Sequence, residues 1–173
     1  QLRAWMEEGA VGTPDFLSIE VAFATWPRAW QHDAASWLSR RAEGGFTREV
    51  VSHFLFLTRR LLGPLALESA RATYPGEDRS ETAVEARLTA GGIPVTLRGS
   101  VGTTDRDDTN AWTLRGPAGA IRLRDWSIAE REGPDGWATA PDAIPNERMR
   151  PMVLRGQMDK VIAMTRGEPH TLA

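Results

Sequence analysis

Residues 43–64 read EGGFTREVVSHFLFLTRRLLGP. The apolar residues of this stretch recur at helical spacing and make a wide stripe, so the pattern predicts a helix with one buried side. Gly44 and Gly45 allow a close approach and a turn before this helix. Thr47 is the expected N-terminal cap, and Gly63 followed by a proline is a typical stop signal. The stripe consists of Val50, Val51, Phe54, Leu57, Leu61 and Leu62.

Glu49 and His53 lie four residues apart, so they share one face of the predicted helix. A carboxylate beside an imidazole fixes its tautomer and suits it to moving a proton near neutral pH. The same spacing is also common in surface contacts that have no chemical role. Apolar neighbours such as Phe54 and Phe56 favour the acid–base interpretation, because a titratable pair in apolar surroundings needs a partner or a ligand.

Composition excludes several classes of function. Lys and Arg number 21 against 23 Asp and Glu, a net charge of −2, which gives no basis for binding nucleic acid or an anionic membrane surface. No apolar run approaches the ~18 residues of a membrane-spanning helix. Without cysteine there is no disulfide or thiolate site, and three histidines without ligand spacing do not predict zinc. Three aspartates in the turn at residues 102–109 lack the glycine and terminal glutamate of a calcium loop, so no metal is expected.

The remaining pattern predicts an α+β domain. A short helix over residues 1–8 ends at Gly9, and from Leu17 onward buried and exposed positions alternate as in a strand. After the central helix, successive strands joined by short turns predict a largely antiparallel open sheet, with helices packed on one face. The strands are expected over residues 65–74, 81–88, 93–100, 112–114, 121–123 and 127–132, and a last helix over residues 151–166.

The central helix resembles a helix of the catalytic site in the Gfo/Idh/MocA family of nicotinamide-dependent oxidoreductases. The family pattern is approximately GGGxLxDxGxHxxD, closed further on by Leu-Gly. The residues that carry the resemblance are Gly44, Gly45, Ser52, His53 and the ending Leu61, Leu62, Gly63, with Glu49 in place of the family's Asp. The chain departs from the pattern at Glu43, Val51 and Phe56. A helix that ends in glycines before an alternating strand similarly resembles the entry to the family's C-terminal domain.

The resemblance implies that residues 1–173 are one domain, the substrate-binding and oligomerisation half of such an enzyme. Its fold would be the C-terminal fold of dihydrodipicolinate reductase and glyceraldehyde-3-phosphate dehydrogenase. His53, oriented by Glu49, would be the catalytic acid–base pair. In the family, the loop at residues 25–41 passes over a sugar-binding cleft, although these residues equally suit a packed surface loop. The substrate-binding candidates are Trp26, Arg28, Trp30, His32 and Arg48.

The resemblance also implies partners and location. A full-length enzyme would use NAD or NADP to oxidise the CH–OH group of a sugar, polyol or related small molecule. It would be a bacterial, cytoplasmic protein, a homodimer or higher oligomer joined through the open sheet face, without nucleic-acid or membrane partners. The catalytic Lys of the family lies in a Glu-Lys-Pro motif, and neither that motif nor a GxGxxG turn after a strand occurs in this sequence. We therefore expect the N-terminal Rossmann domain to lie outside this chain, and the chain alone to bind no cofactor and to be inactive.

Two other interpretations stay open at the level of sequence. The first is a non-catalytic α+β module for binding or oligomerisation, which Val51 and Phe56 favour because they narrow the site where the family has Gly and Asp. The second keeps the family fold but has lost catalysis, so that the central helix serves only the core.

Overall fold

Eight strands form one sheet in the computed structural model, which describes residues 1–171. The strands are β1 (Phe16–Phe23), β2 (Leu65–Thr73), β3 (Ala83–Ala90), β4 (Ile93–Val101), β5 (Thr109–Gly116), β6 (Gly119–Arg124), β7 (Ile128–Gly133) and β8 (Gly136–Thr139). Their spatial order is β2-β3-β4-β1-β5-β6-β7-β8. β1 pairs in parallel with β4, and the other neighbouring pairs are antiparallel. The predicted α+β class and largely antiparallel sheet are confirmed.

Helical segments precede β1, connect β1 to β2, and follow β8. They are α1 (Leu2–Glu7), a 3₁₀ turn (Ala29–Ala34), α2 (Ala35–Leu38), a π-type turn (Thr47–Val51), α3 (Ser52–Leu62) and α4 (Asn146–Thr165). The predicted central helix is confirmed, and it ends at Gly63 with a φ of 104°. None of the helices within residues 1–171 is long and apolar enough to cross a membrane.

The parallel pairing of β1 with β4 follows from a long connection. After β1 the chain runs through α2 and α3 and then through the β2–β3 hairpin before β4 returns alongside β1. A tight turn joins only antiparallel strands, so a parallel neighbour requires such a crossover. β1 consequently lies in the interior of the sheet, where both of its edges are paired.

The covered face of the sheet is the face that packs against the helices. Alternate residues of β1 are fully or almost fully buried on it, as the sequence pattern predicts. Val50, Val51 and Phe54 from the central helix join the same apolar core. Burial of a large apolar side chain contributes roughly 1.5–3 kcal/mol, so these contacts fix the helix on the sheet. The sheet residues at its centre are Leu17, Ile19, Val21, Phe23, Trp112, Leu114 and Ile121.

The two glycines before the central helix make close contacts, as expected. A side chain at Gly44 would overlap the backbone of Leu38, and one at Gly45, whose φ is 96°, would overlap the carboxylate of Glu81. That carboxylate accepts a hydrogen bond from the backbone N–H of Thr47 at 2.6 Å. Thr47 is therefore not the cap that the sequence predicts. A buried acid from a distant segment satisfies the helix start instead, because a negative charge suits the N-terminal end of a helix.

Three further elements differ from the sequence prediction. Residues 25–41 are not wholly irregular, because they contain the 3₁₀ turn and α2. β8 is missing from the prediction, since four residues with little burial leave no alternating pattern. The last helix begins at Asn146 and runs through Pro151, so the proline does not mark its first residue. No residue in the described length of α4 is buried.

Candidate functional site

A π-type turn carries Glu49 and leads into α3, the helix that carries His53. It covers Thr47–Val51 and runs directly into α3. The hydroxyl of Ser52 donates to the carbonyl of Arg48 at 2.6 Å and closes the junction. Short π-type turns are rare and frequently occur at functional sites. The unusual turn thus lies immediately before the histidine that the sequence singles out.

His53 and Glu49 have different neighbours in the structure. The His53 side chain is exposed and stands edge-on to Trp126, with ring centroids 5.9 Å apart and an interplanar angle of 78°. Glu49 is half-buried and lines a cavity of about 270 Å³ with Trp30 and Trp37. No hydrogen bond or ion pair joins the two side chains in the described part of the chain. The predicted orientation of the imidazole by Glu49 is therefore not formed in this structure.

The apolar enclosure expected around this pair is also incorrect. Phe56 is 61 % exposed, and its ring lies 5.8 Å from the guanidinium of Arg60. Val50, Val51 and Phe54 are buried, but they face the core of the domain. A helix with one buried stripe turns its remaining positions to solvent, which is where His53 and Phe56 lie.

Arg28 is buried and hydrogen-bonded to two other side chains. Its Nη1 donates to Asp108 Oδ2 at 2.7 Å, and its Nε donates to Gln31 Oε1 at 3.0 Å. The guanidinium also lies 4.7 Å from the centroid of the Trp30 ring. A buried charge that loses its partner is costly, so Arg28 holds the loop to the segment just before β5. Its contact with a substrate stays a prediction.

The two tryptophans of the loop have separate environments. Trp26 packs edge-on against Phe23 at 5.0 Å, and its Nε1 donates to the carbonyl of Leu38 at 3.2 Å. It therefore serves packing, and the structure does not place it as a wall of an open cleft. Trp30 is 50 % exposed and lies between Arg28 and Arg150 of α4.

The last two candidates, His32 and Arg48, interact with residues close to them in the sequence. His32 is exposed and forms an ion pair with the exposed Asp33 at 3.2 Å. Arg48 Nη1 donates to the backbone carbonyls of Ala42, at 3.0 Å, and Glu43. Arg48 thus closes the turn before the helix. Of the seven predicted site residues, Glu49 and Trp30 share a cavity, whereas His53 belongs to a different surface.

Trp126 is the residue that sequence reasoning missed. It lies in the turn between β6 and β7, and its indole contacts His53 and Phe54. Its Nε1 is 3.3 Å from Asp108 Oδ1, and Asn110 Oδ1 accepts its backbone N–H at 2.9 Å. The only signal in the sequence was a tryptophan beside a short strand. The contact itself joins residues far apart in the chain.

The open face of the sheet carries charged residues. A basin of about 740 Å³ lies on it, and its lining includes Glu20, Glu85, Arg98 and Asn110. The register places Arg98 beside Glu20 on one side and Glu85 on the other. Opposite charges therefore alternate across three adjacent strands.

A buried carboxylate lies further along the open face. Glu130 is hydrogen-bonded by Arg122 Nε at 2.5 Å and by Arg124 Nη2 at 3.1 Å. Thr139 of β8 donates to the same carboxylate at 3.3 Å. Burial by itself raises the pKa of Glu130, but the hydrogen bonds from Arg124 and Arg122 outweigh it and hold the pKa below the usual value of a glutamate. Glu130 is consequently an anion that ties β6, β7 and β8 together.

Comparison with solved structures identifies the fold, although the sequence matches no protein-family model and no curated protein. An oxidoreductase from Agrobacterium radiobacter, in complex with NAD+, L-tartaric acid and magnesium, matches 98 % of this chain at a TM-score of 0.68 and 18 % identity. The WlbA dehydrogenase from Bordetella pertussis, in complex with NADH and UDP-GlcNAcA, matches 98 % at 0.65 and 21 % identity. KijD10, a 3-ketoreductase from Actinomadura kijaniata in complex with NADP, matches 84 % at 0.63 and 16 % identity.

These matches confirm the predicted resemblance at the level of the fold. The chain has the fold of the C-terminal domain of Gfo/Idh/MocA-type oxidoreductases. It spans 52 %, 50 % and 45 % of the three solved chains, so it corresponds to about half of each.

The described residues contain no glycine-rich turn between a strand and a helix. A nicotinamide dinucleotide is held by a glycine-rich turn between a strand and the start of a helix. β1 instead leads into a 3₁₀ turn with no such glycines, and the other strands within residues 1–171 are followed by strands or by α4. No residue of this chain is therefore assigned to a cofactor.

Proposed function

We propose that this chain is the substrate-binding domain of a longer NAD(P)-dependent oxidoreductase that acts on the CH–OH group of a sugar, polyol or related small molecule. The observation that supports this proposal is the fold match over nearly the whole chain to oxidoreductases in complex with nicotinamide cofactors. In the longer protein, a preceding domain holds NAD or NADP, whose nicotinamide supplies the hydride chemistry.

His53 is the proposed proton-handling residue of this chain. Its imidazole is exposed on the surface beside Trp126, so a hydroxyl can reach it. An imidazole can both accept and donate a proton, which is the task of a general acid–base group. Glu49 makes no hydrogen bond or ion pair with His53 in this structure, so its proposed help in orienting the imidazole requires a change in the geometry of the pair when substrate binds. Apo geometry alone does not exclude a catalytic hydrogen bond of this kind.

The experiment measures NAD(P)-dependent turnover by the full-length protein that contains this chain. We expect His53→Ala to lower kcat/KM by ~10²-fold or more, the usual scale for a lost acid–base group. Arg59→Ala is the matched control, since Arg59 is an exposed residue on the same helix. An unchanged rate in the His53 variant, with a wild-type protein that turns over, would remove His53 from the mechanism.

We also propose that the longer protein is a homodimer or higher oligomer through the open face. Supporting this are the size of the open-face basin and the alternation of charge across it, because a self-complementary surface can pair with a copy of itself. The oligomeric state in solution tests this proposal, as described in the Discussion.

A non-catalytic binding or oligomerisation module is the second candidate. The separation of Glu49 from His53 favours it, since the acid–base pair is not assembled. It predicts a full-length protein that forms the same oligomer but neither binds NAD(P) nor oxidises any member of a sugar and polyol panel. Nucleotide binding by the full-length protein would exclude it.

A further inference from the structure

The turn between β6 and β7 has an unfavourable backbone conformation. Asp125 and Trp126 both have positive φ, 48° and 70°, and they are the two non-glycine residues with positive φ in the described chain. The left-handed region penalises side chains, and a bulky residue there is a true outlier. The next residue, Ser127, has a buried hydroxyl without a hydrogen-bond partner in the structure. Strained conformations of this kind persist only where surrounding contacts impose them, and they cluster at functional sites.

Asn110 and Asp108 impose the conformation. Asn110 is buried in β5, its backbone carbonyl accepts the N–H of Asp125 at 3.1 Å, and its Oδ1 accepts the N–H of Trp126 at 2.9 Å. Asp108 accepts from the indole Nε1 of Trp126 at 3.3 Å and from Asn110 Nδ2 at 3.4 Å. Asp108 is itself held by the buried Arg28. Hydrogen bonds thus hold Trp126 at both its backbone N–H and its indole ring.

The conformation presents a half-buried indole beside the exposed histidine. One neighbour of the Trp126 ring is Phe54, at a centroid distance of 5.4 Å and an angle of 33°, which supports the ring from the core side. The other is His53, at 5.9 Å. The flat apolar surface of the indole therefore lies next to His53, the group proposed to handle the substrate proton. Neither residue lines the cavity that contains Glu49.

We infer that Trp126 is a specificity-determining residue that stacks on the apolar C–H face of a cyclic sugar while a hydroxyl of that sugar reaches His53. Asn110 and Asp108 are positioning residues for the indole. This inference rests on the proposed oxidoreductase function. An indole presents a large, flat apolar surface at little entropic cost, and a pyranose ring offers a matching flat face. An open-chain polyol or hydroxy acid offers no such face, so the contact selects cyclic over acyclic substrates.

The test compares KM and kcat of the full-length protein on pyranoses and on their open-chain polyols. For pyranoses, Trp126→Ala raises KM about tenfold with kcat changed less than about threefold, the scale of one lost aromatic contact. Trp126→Phe restores most of the affinity. For polyols both variants leave KM unchanged. Tyr74→Ala is the control, because Tyr74 is a partly exposed aromatic residue that follows β2 at the opposite edge of the sheet.

Asn110→Ala tests the positioning role. This substitution keeps the indole but removes the side-chain acceptor for the backbone N–H of Trp126. We therefore expect KM for pyranoses to rise while KM for polyols does not. A purely structural role would instead lower the amount of folded protein and change the kinetic constants for both substrate classes equally. An equal change in KM for the two classes, or no change in KM for either, overturns the inference.

A second measurement separates this inference from the proposed function. The indole N–H resonance of Trp126, assigned by its loss in Trp126→Phe, is followed by NMR as methyl β-D-glucopyranoside or D-sorbitol is added to the full-length protein. A shift with the pyranoside only supports the inference even if no substrate is turned over, in which case the proposed oxidoreductase function fails alone. No shift, or equal shifts, overturns the inference even if turnover is found.

Discussion

The covered face and the open face of the sheet use alternate residues of the same strands. In β1, Leu17, Ile19 and Val21 are buried against the helices, whereas Glu20 between them is exposed on the other side. The covered face is apolar and closely packed around Trp112, which is fully buried. The open face instead carries alternating charges and one buried carboxylate, Glu130. The difference indicates that the covered face stabilises the monomer, and it leaves the open face as the surface proposed to pair with a second copy.

Removal of the fully buried Trp112 side chain is expected to cause the largest loss of stability. Trp112→Ala leaves a large cavity and is expected to lower the free energy of unfolding by ~3–5 kcal/mol, measured by urea denaturation. Trp112→Phe keeps most of the volume but leaves the Thr58 hydroxyl without the indole N–H that donates to it at 2.9 Å, so a loss of ~1–3 kcal/mol is expected. Tyr74→Ala is the exposed aromatic control, and a loss for Trp112→Ala no larger than for this control would contradict the packing account.

The acid that caps the central helix has the next largest effect. Glu81→Ala removes the acceptor for the Thr47 N–H and the negative charge at the helix start, with an expected loss of ~1–2 kcal/mol. Glu77→Ala, which removes an exposed acid from the preceding turn, is the matched control with a loss below ~0.5 kcal/mol. Thermal unfolding followed by circular dichroism distinguishes the two. Equal stability of both variants would show that Glu81 does not cap the helix.

Glu130 gives the open face a pH dependence. Because its pKa is lower in the folded than in the unfolded chain, its contribution to stability is present at neutral pH and is lost as the pH falls below the usual range of a glutamate, about 4.3. Glu130→Gln should therefore cost ~1 kcal/mol at neutral pH, and its stability should approach that of the wild type in acid. Urea midpoints measured from neutral to acidic pH provide the test. A constant difference between the two proteins at every pH would contradict the role of the charge.

A substitution on the open face should change assembly more than stability. Ala111→Arg places a long cation in the basin, where a partner copy is proposed to lie. We expect a monomer on size exclusion with light scattering and a change in unfolding free energy within ~0.5 kcal/mol. Ala42→Arg, on an exposed loop before the central helix, is the control that keeps the oligomer. An unchanged oligomer in the Ala111 variant would remove the open face from the interface.

The sequence predicts local structure well and distant contacts poorly. The alternation in β1 and the helical stripe through Phe54 depend on residues close together in the chain, so both can be recognised from the sequence alone. The ion pair of Arg28 with Asp108 joins residues 80 positions apart, so no local sequence pattern predicts it.

The candidate site shows the same limit. The motif singles out His53 as a candidate, but the aromatic neighbour of His53 in the structure, Trp126, comes from a different part of the chain. Glu49 lies in the π-type turn and His53 in α3, and no hydrogen bond or ion pair joins their side chains. Spacing rules for an α-helix therefore predicted a contact that the structure does not contain.

The most direct test of the central claim is nicotinamide-dependent turnover by the full-length protein over a panel of sugars and polyols, alongside NAD+ and NADP+ binding. We expect dinucleotide binding and reduction of the cofactor with at least one member of the panel, and loss of that turnover in His53→Ala. A full-length protein that binds neither dinucleotide would exclude the oxidoreductase function and leave a fold used for binding or assembly.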